Sequence, residues 1–584
     1  MQKMILALVL LTLLITPVLA IEGNSVTIRA VAVTSGEVQK GVLINITATI
    51  TNGSGKVFIS TGPYAEIDMQ GSARIAAITA CDLLGIDFTN YDFFYSIEAD
   101  APIVGGPSAG GVMTIATIAA LKNLSLRDDV FMTGMIYPDG FIGPVGGLKY
   151  KLEAVANSGG RIFLIPEGQS ITYEQERVVK RVGIINIVST RYVEINLVDY
   201  GKKLGVDVFE VSTINDALKF YTGYEIKTSK ANFSVYTYSE MLRMLAERMR
   251  DNLKNYEIKG NAAKLVSDAD NAYNAGNYYT ATSKYFQAMI EARYQMYLSR
   301  INNAQQFDSE VANIRKEIDY LKNYLKKESL GINSIQIIAA AQERIGEAEL
   351  YLEKAQNSSS ASEAIYNLAY ARERVESAKV WLSLLNIIKN DYEISYQELK
   401  KRAEFYISEA SSLIIYAESL SGNSQLISWS YDSLTVAKKL FSEGMYAGAA
   451  FSAVDSIVES SLAIEASYTT NLNEKVSKAK QNAENAVGEA EKSLTPILPA
   501  AYFEYAENVE NPYLKLMYFK LSERLAKLLT IMAKSGGEVE LVHSDFVPQQ
   551  KSAIEDMIKE IPGFEIVLGV SALLAGYKIL KRRD

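Results

Sequence analysis

The sequence predicts an α+β N-terminal domain, a mainly α-helical hairpin domain after it, and a C-terminal transmembrane segment. Three observations carry this. From about Ile21 to Gly223, alternating or β-branched apolar runs are interleaved with helical runs. After Tyr224 glycine and proline thin out, and Ala, Tyr, Glu, Lys and Leu dominate at helical spacing. Phe564 to Leu580 is mostly apolar and is followed by Lys581-Arg582-Arg583. The expected divisions are a signal peptide over 1–20, the α+β domain over 21–225, the helical domain over 230–535, a juxtamembrane linker over 536–561, and a transmembrane or sorting tail over 562–584.

The elements follow in order. Met1 to Ala20 has a charge at Lys3, an apolar stretch from Ile5 to Ile15 and a small-residue exit at Val18-Leu19-Ala20, the pattern of a secretory signal. Val26–Val33, Val42–Ile50 and Val57–Ser60 read as strands, with Gly53-Ser54-Gly55 as a turn. Ala73–Leu84 reads as a helix, Ile162–Ile165 as a buried strand closed by Pro166, and Val206–Val211 as a strand before the helix Ile214–Tyr221. Farther on, Val311, Ile314, Ile318, Leu321 and Leu325 make an apolar stripe. Helical hairpins are expected around Gly276 and Gly444, each glycine followed two residues later by a tyrosine that packs between helices. The apolar tail with its basic end places the C-terminus in the cytoplasm and the bulk of the chain outside, at the cell membrane. Ile561-Pro562-Gly563-Phe564 and the run behind it resemble the C-terminal sorting signal of archaeal surface proteins.

Composition excludes several functions. The net charge is −9, from 59 Lys+Arg against 68 Asp+Glu, and no basic stripe points to nucleic acid. The single histidine, His543, rules out a multi-histidine metal site and makes a Ser-His-Asp triad improbable. No metal or other cofactor is expected. Cys81, the one cysteine, reads as a small buried hydrophobe.

The chemistry concentrates in two glycine-framed segments. Gly105-Gly106-Pro107-Ser108-Ala109-Gly110-Gly111 puts a serine ahead of the apolar helical run Val112–Leu121. Backbone N–H groups and the positive dipole end collect there, which suits an oxyanion, although Ser108 alone also reads as an N-cap. Pro144-Val145-Gly146-Gly147 precedes a helix on which Leu148, Lys151, Leu152 and Val155 share one face. Lys151 then lies on the apolar stripe, where desolvation lowers its pKa and frees an amine that can serve as base. A lysine snorkelling past an apolar rim fits the same pattern. Lys149 and Glu153 read as a surface pair on another face.

Gly106-Pro107-Ser108-Ala109-Gly110, Thr133-Gly134 and Pro144–Lys151, in this order and at this separation, resemble the proteolytic domain of Lon proteases. The resemblance covers roughly residues 25–225. It implies a serine endopeptidase with Ser108 as nucleophile, Lys151 as general base and Thr133 orienting the lysine; read from the residues alone, Thr133 is a strand-end hydroxyl. Two places depart from the family. Gly105 stands where the family often has an acid three positions before the serine, and Met135 stands where a glutamate often follows Thr-Gly. The chain has no Gly-x-x-x-x-Gly-Lys-Ser/Thr segment, so peptide or unfolded-protein substrates handled without ATP are expected. Domains of this family often form rings, so the resemblance is compatible with a homo-oligomer. A second reading is a non-catalytic cell-surface scaffold that binds partners through the helical domain.

Overall fold

The computed structural model describes residues 23–541, apart from 35–38, 63, 100–102, 183–184, 228–232, 389–390, 421, 469–470 and 535–539. The expected signal peptide, His543 and the tail 562–584 lie outside the described residues. The chain divides into two compact units, Met1–Lys227 and Thr228–Asp584.

In the first unit, β1 (Asn24–Val33), β2 (Gly41–Asn52), β3 (Val57–Thr61) and β5 (Tyr91–Ala99) form one sheet in the order β1-β2-β5-β3. The two-residue strands β4 (Tyr64–Ala65) and β6 (Ile103–Val104) pair beside it. Alternation sets the buried face. Ile46, Ala48 and Ile50 of β2 lie opposite Ile97, Tyr95 and Phe93 of β5, all buried. Helix α1 (Ile67–Leu84) starts six residues before the apolar run that announced it. Helix α2 (Gly110–Lys122) is buried from Gly110 to Ala120, as a helix apolar on every side must be. Tyr95 Oη and Thr117 Oγ1, 2.6 Å apart, tie β5 to α2.

A second, parallel sheet has the order β13-β10-β7, from β7 (Val130–Met132), β10 (Ile162–Pro166) and β13 (Asp207–Val211). The apolar run of β10 fits a strand covered on both faces. Between β7 and β10 come β8 (Met135–Ile136), β9 (Ile142–Gly143) and α3 (Leu148–Asn157). Beyond β10, β11 (Ile171–Val182) and β12 (Ile185–Asn196) make a long antiparallel hairpin, followed by α4 (Leu197–Leu204), β13 and α5 (Ile214–Thr222).

Two strand regions lack a plain sequence signal. β5 carries Asp92, a poor strand former, but its Oδ1 accepts the N–H groups of Ser54 and Lys56 at 2.8 and 2.9 Å and so holds the neighbouring turn. The β11–β12 hairpin is rich in charged residues, which hides its alternation.

The second unit contains twelve α-helices among the described residues. The expected hairpins are Gly260–Asn274 with Tyr278–Arg300, and Ser424–Ser442 with Tyr446–Tyr468. The stripe from Val311 to Leu325 is buried along Ala304–Leu325. Tyr285 is buried and donates to Asp270 at 2.5 Å, an inter-helix role. Among the described residues, Tyr446–Tyr468 is the one helix long and apolar enough to cross a membrane, and most of it is buried against other helices. Glu540–Leu541, in the segment expected as a linker, pairs with Asp391–Tyr392.

Candidate active site

The site is built around the loop between β6 and α2. Gly106 has φ 86° and ψ 145°, backbone that only glycine adopts without strain, and Pro107 opens a single 3₁₀ turn, Pro107–Ala109, that runs into α2. Ser108 sits in that turn, half-buried, while Ala109 and Gly110 behind it are buried. The Ser108 carbonyl accepts the Gly134 N–H at 3.0 Å and the Thr133 hydroxyl at 3.4 Å. The Gly111 N–H returns to the Gly134 carbonyl at 3.1 Å. This approach requires small residues: a Cβ on Gly110 would meet Ile136 Cγ2 and Ser72 Oγ at 2.6 Å.

Thr133 follows directly after β7, and its N–H bonds to the Leu164 carbonyl of β10 at 3.1 Å. The parallel sheet thus fixes Thr133 under the loop, where it is wholly buried.

Helix α3 brings the lysine. Leu148, Leu152 and Val155 pack with Phe131, Phe163 and Ile165, and Lys151 shares their face with only 3% of its surface exposed. The Lys151 amine donates to Thr133 Oγ1 at 3.1 Å. Burial pushes it down from 10.5 to about 8. Roughly a tenth of such amines are free base at pH 7. The structure therefore brings together Lys151, Thr133 and the Ser108 main chain, joined as amine to hydroxyl to carbonyl. Ser108 is half-buried and Lys151 almost wholly buried. The N-terminus of α2, directly behind Ser108, favours negative charge there.

Other details differ from expectation. Glu153 accepts from Tyr200 Oη at 2.7 Å and does not pair with Lys149, which lies over the Tyr150 ring. Cys81 is buried, as expected, and its thiol is pushed up by desolvation. Gln169 has no motif around it, yet its side chain takes both backbone groups of Val145, at 2.9 and 3.0 Å, and anchors the loop ahead of α3. Asp68, in the first turn of α1, accepts the Gly106 N–H. In sequence it looks like any acid near a helix start.

Comparison with known proteins agrees with this geometry. Residues 24–187 match the family model of the Lon protease (S16) C-terminal proteolytic domain. Lon protease 1 of Myxococcus xanthus is 38% identical over 133 residues, 22% of this chain and 16% of that protein. Lon protease of Phenylobacterium zucineum is 37% identical over 132 residues, again 22% and 16%. Lon protease of Fervidobacterium nodosum is 32% identical over 145 residues, 24% of this chain and 18% of that protein. The chain thus spans about a sixth of the length of these relatives. The match supports a serine peptidase.

Proposed function

We propose, from this match and the geometry beneath it, that the chain is an ATP-independent serine endopeptidase in which Lys151 serves Ser108 as base. The observation that carries the reading is the Lys151 amine, sealed from water, lowered to about 8, and one hydroxyl away from the Ser108 carbonyl. A free amine takes the Ser108 Oγ proton as Oγ attacks the scissile carbonyl. The resulting ammonium returns that proton to the leaving amine as the C–N bond breaks. Water, activated by the same amine, then releases the acyl group. Thr133 holds the lysine against the loop, and the N-terminal end of α2 favours the tetrahedral oxyanion.

On this reading the substrates are peptides or unfolded protein; these 584 residues hold no Gly-x-x-x-x-Gly-Lys-Ser/Thr segment. The same reading puts the enzyme at the cell membrane, with its bulk outside and its C-terminus cytoplasmic. The signal-like Met1–Ala20 and the apolar run ending in Lys581-Arg582-Arg583 support that placement. The helical unit would select or present substrate, and a homo-oligomer is compatible with the reading.

The test is cleavage of an unfolded polypeptide by wild type, Ser108→Ala and Lys151→Ala. Both variants should lose activity; equal cleavage by all three would sink the assignment.

A further inference from the structure

The nucleophile loop is held on one side by Thr133 and Gly134, as the reaction requires. On its other side it is held by α1. Asp68, in the first turn of α1, accepts the Gly106 N–H with both carboxylate oxygens, at 3.1 and 3.0 Å. One turn later Ser72, fully buried, donates to the Pro107 carbonyl at 3.4 Å. The four-residue spacing puts the two side chains on one face of the helix. The carboxylate is itself steadied by the Met69 N–H at 2.7 Å and by the positive end of the helix. Backbone groups of Gly106, Pro107 and Ser108 are therefore all engaged, the first two by α1.

Gly105, where the resembled family often carries an acid, lies against α1 as well. A Cβ there would come within 1.8 Å of a Glu66 carboxylate oxygen, so the side chain of Glu66, just before α1, fills that space.

We propose that Asp68, backed by Ser72, is a positioning residue for Ser108: α1 supplies, from a distant stretch of sequence, the carboxylate that the nucleophile loop lacks. The inference rests on the reading of Ser108 as nucleophile. Gly106 takes a positive φ of 86°, and the Asp68 bond fixes the peptide that enters the 3₁₀ turn. Released from it, the turn that carries Ser108 is held only from the Thr133–Gly134 side, and the Ser108 hydroxyl is presented to Lys151 less often. The loss then falls on kcat and not on KM.

The experiment uses the full chain and three readouts: steady-state cleavage of an unfolded polypeptide, the rate at which a fluorophosphonate labels Ser108, and Tm. Asp68→Ala should lower kcat and the labelling rate together by about ten-fold or more, with KM within about two-fold. Asp68→Asn keeps an acceptor oxygen and should recover most of the loss, and Ser72→Ala should show a smaller loss of the same kind. Unchanged kcat and labelling in Asp68→Ala would overturn the proposal. So would a loss that tracks a falling Tm and is not rescued by asparagine. Ser108→Ala separates the two readings: if it cleaves like wild type, the nucleophile is misassigned, whereas an inactive Ser108→Ala beside a fully active Asp68→Ala defeats only the role of Asp68. A wild type that neither cleaves nor labels defeats both.

Discussion

The Lys151 amine donates to Thr133 Oγ1 at 3.1 Å, and among the described residues no carboxylate joins this contact. The lysine is almost wholly buried, and desolvation is the cause of its lowered pKa. Activity and stability should therefore both depend on how this one proton is held.

Cleavage should rise with pH along an acid limb centred near 8, the value to which burial brings the amine. Lys151→Arg should be inactive throughout, because a guanidinium cannot give up its proton. Initial rates between pH 6 and 10 test this. A flat profile, or a limb near the ordinary lysine value, would remove Lys151 from the base role.

Lys151→Met should abolish cleavage and yet raise Tm at pH 7. A folded pKa of about 8 against 10.5 in the unfolded chain means that the unfolded state holds more protons between these values. Below pH 8 the penalty for burying the charge is complete, about 3 kcal/mol. The wild type gains stability as pH rises toward 10.5, so the advantage of the methionine variant should shrink over that range. Melting curves at pH 7 and pH 10 measure the difference.

Thr133→Val keeps the shape and removes the hydroxyl that accepts from Lys151 and donates to Ser108. We expect kcat to fall by about ten-fold to a thousand-fold, in the range of lost orienting and general-base contacts. The ammonium also loses an acceptor, so the residual acid limb should move to lower pH. A limb displaced upward would contradict this geometry.

Gly110→Ala should lower both activity and Tm, because its Cβ would meet Ser72 Oγ and Ile136 at 2.6 Å. Overpacking of this kind costs about 1–3 kcal/mol. Calorimetry together with the cleavage assay checks it; an alanine variant with wild-type Tm would show that α2 can retreat from Ser72 and Ile136.

In the helical unit Glu373 is fully buried, pairs with Arg293 Nε at 2.7 Å and accepts from Tyr256 Oη at 2.7 Å. Glu373→Ala would leave the buried Arg293 charge without this carboxylate, a loss of about 3–5 kcal/mol. Glu373→Gln keeps an acceptor and should lose less. Thermal unfolding followed by helical circular dichroism distinguishes the two.

Much of this protein was legible from local pattern. Alternation marked β1, β2 and β3, and the apolar run of β10 marked the buried sheet. Three- and four-residue spacing placed Lys151 among Leu148, Leu152 and Val155, and the glycine frame placed Ser108 ahead of a helix. These features are short-range, so neighbouring residues suffice to reveal them. The tertiary structure alone decided the rest. Asp68 lies 38 positions from Gly106, and only folding gives its carboxylate an amide to hold. Thr133 became more than a strand end because two parallel strands set it between α3 and the nucleophile loop. Periodicity could put Lys151 on an apolar face, but the degree to which water is excluded from its amine depends on how its helix packs against several separate elements. Composition and spacing record which groups a chain possesses; desolvation and hydrogen bonding between remote segments arise only when the chain is packed.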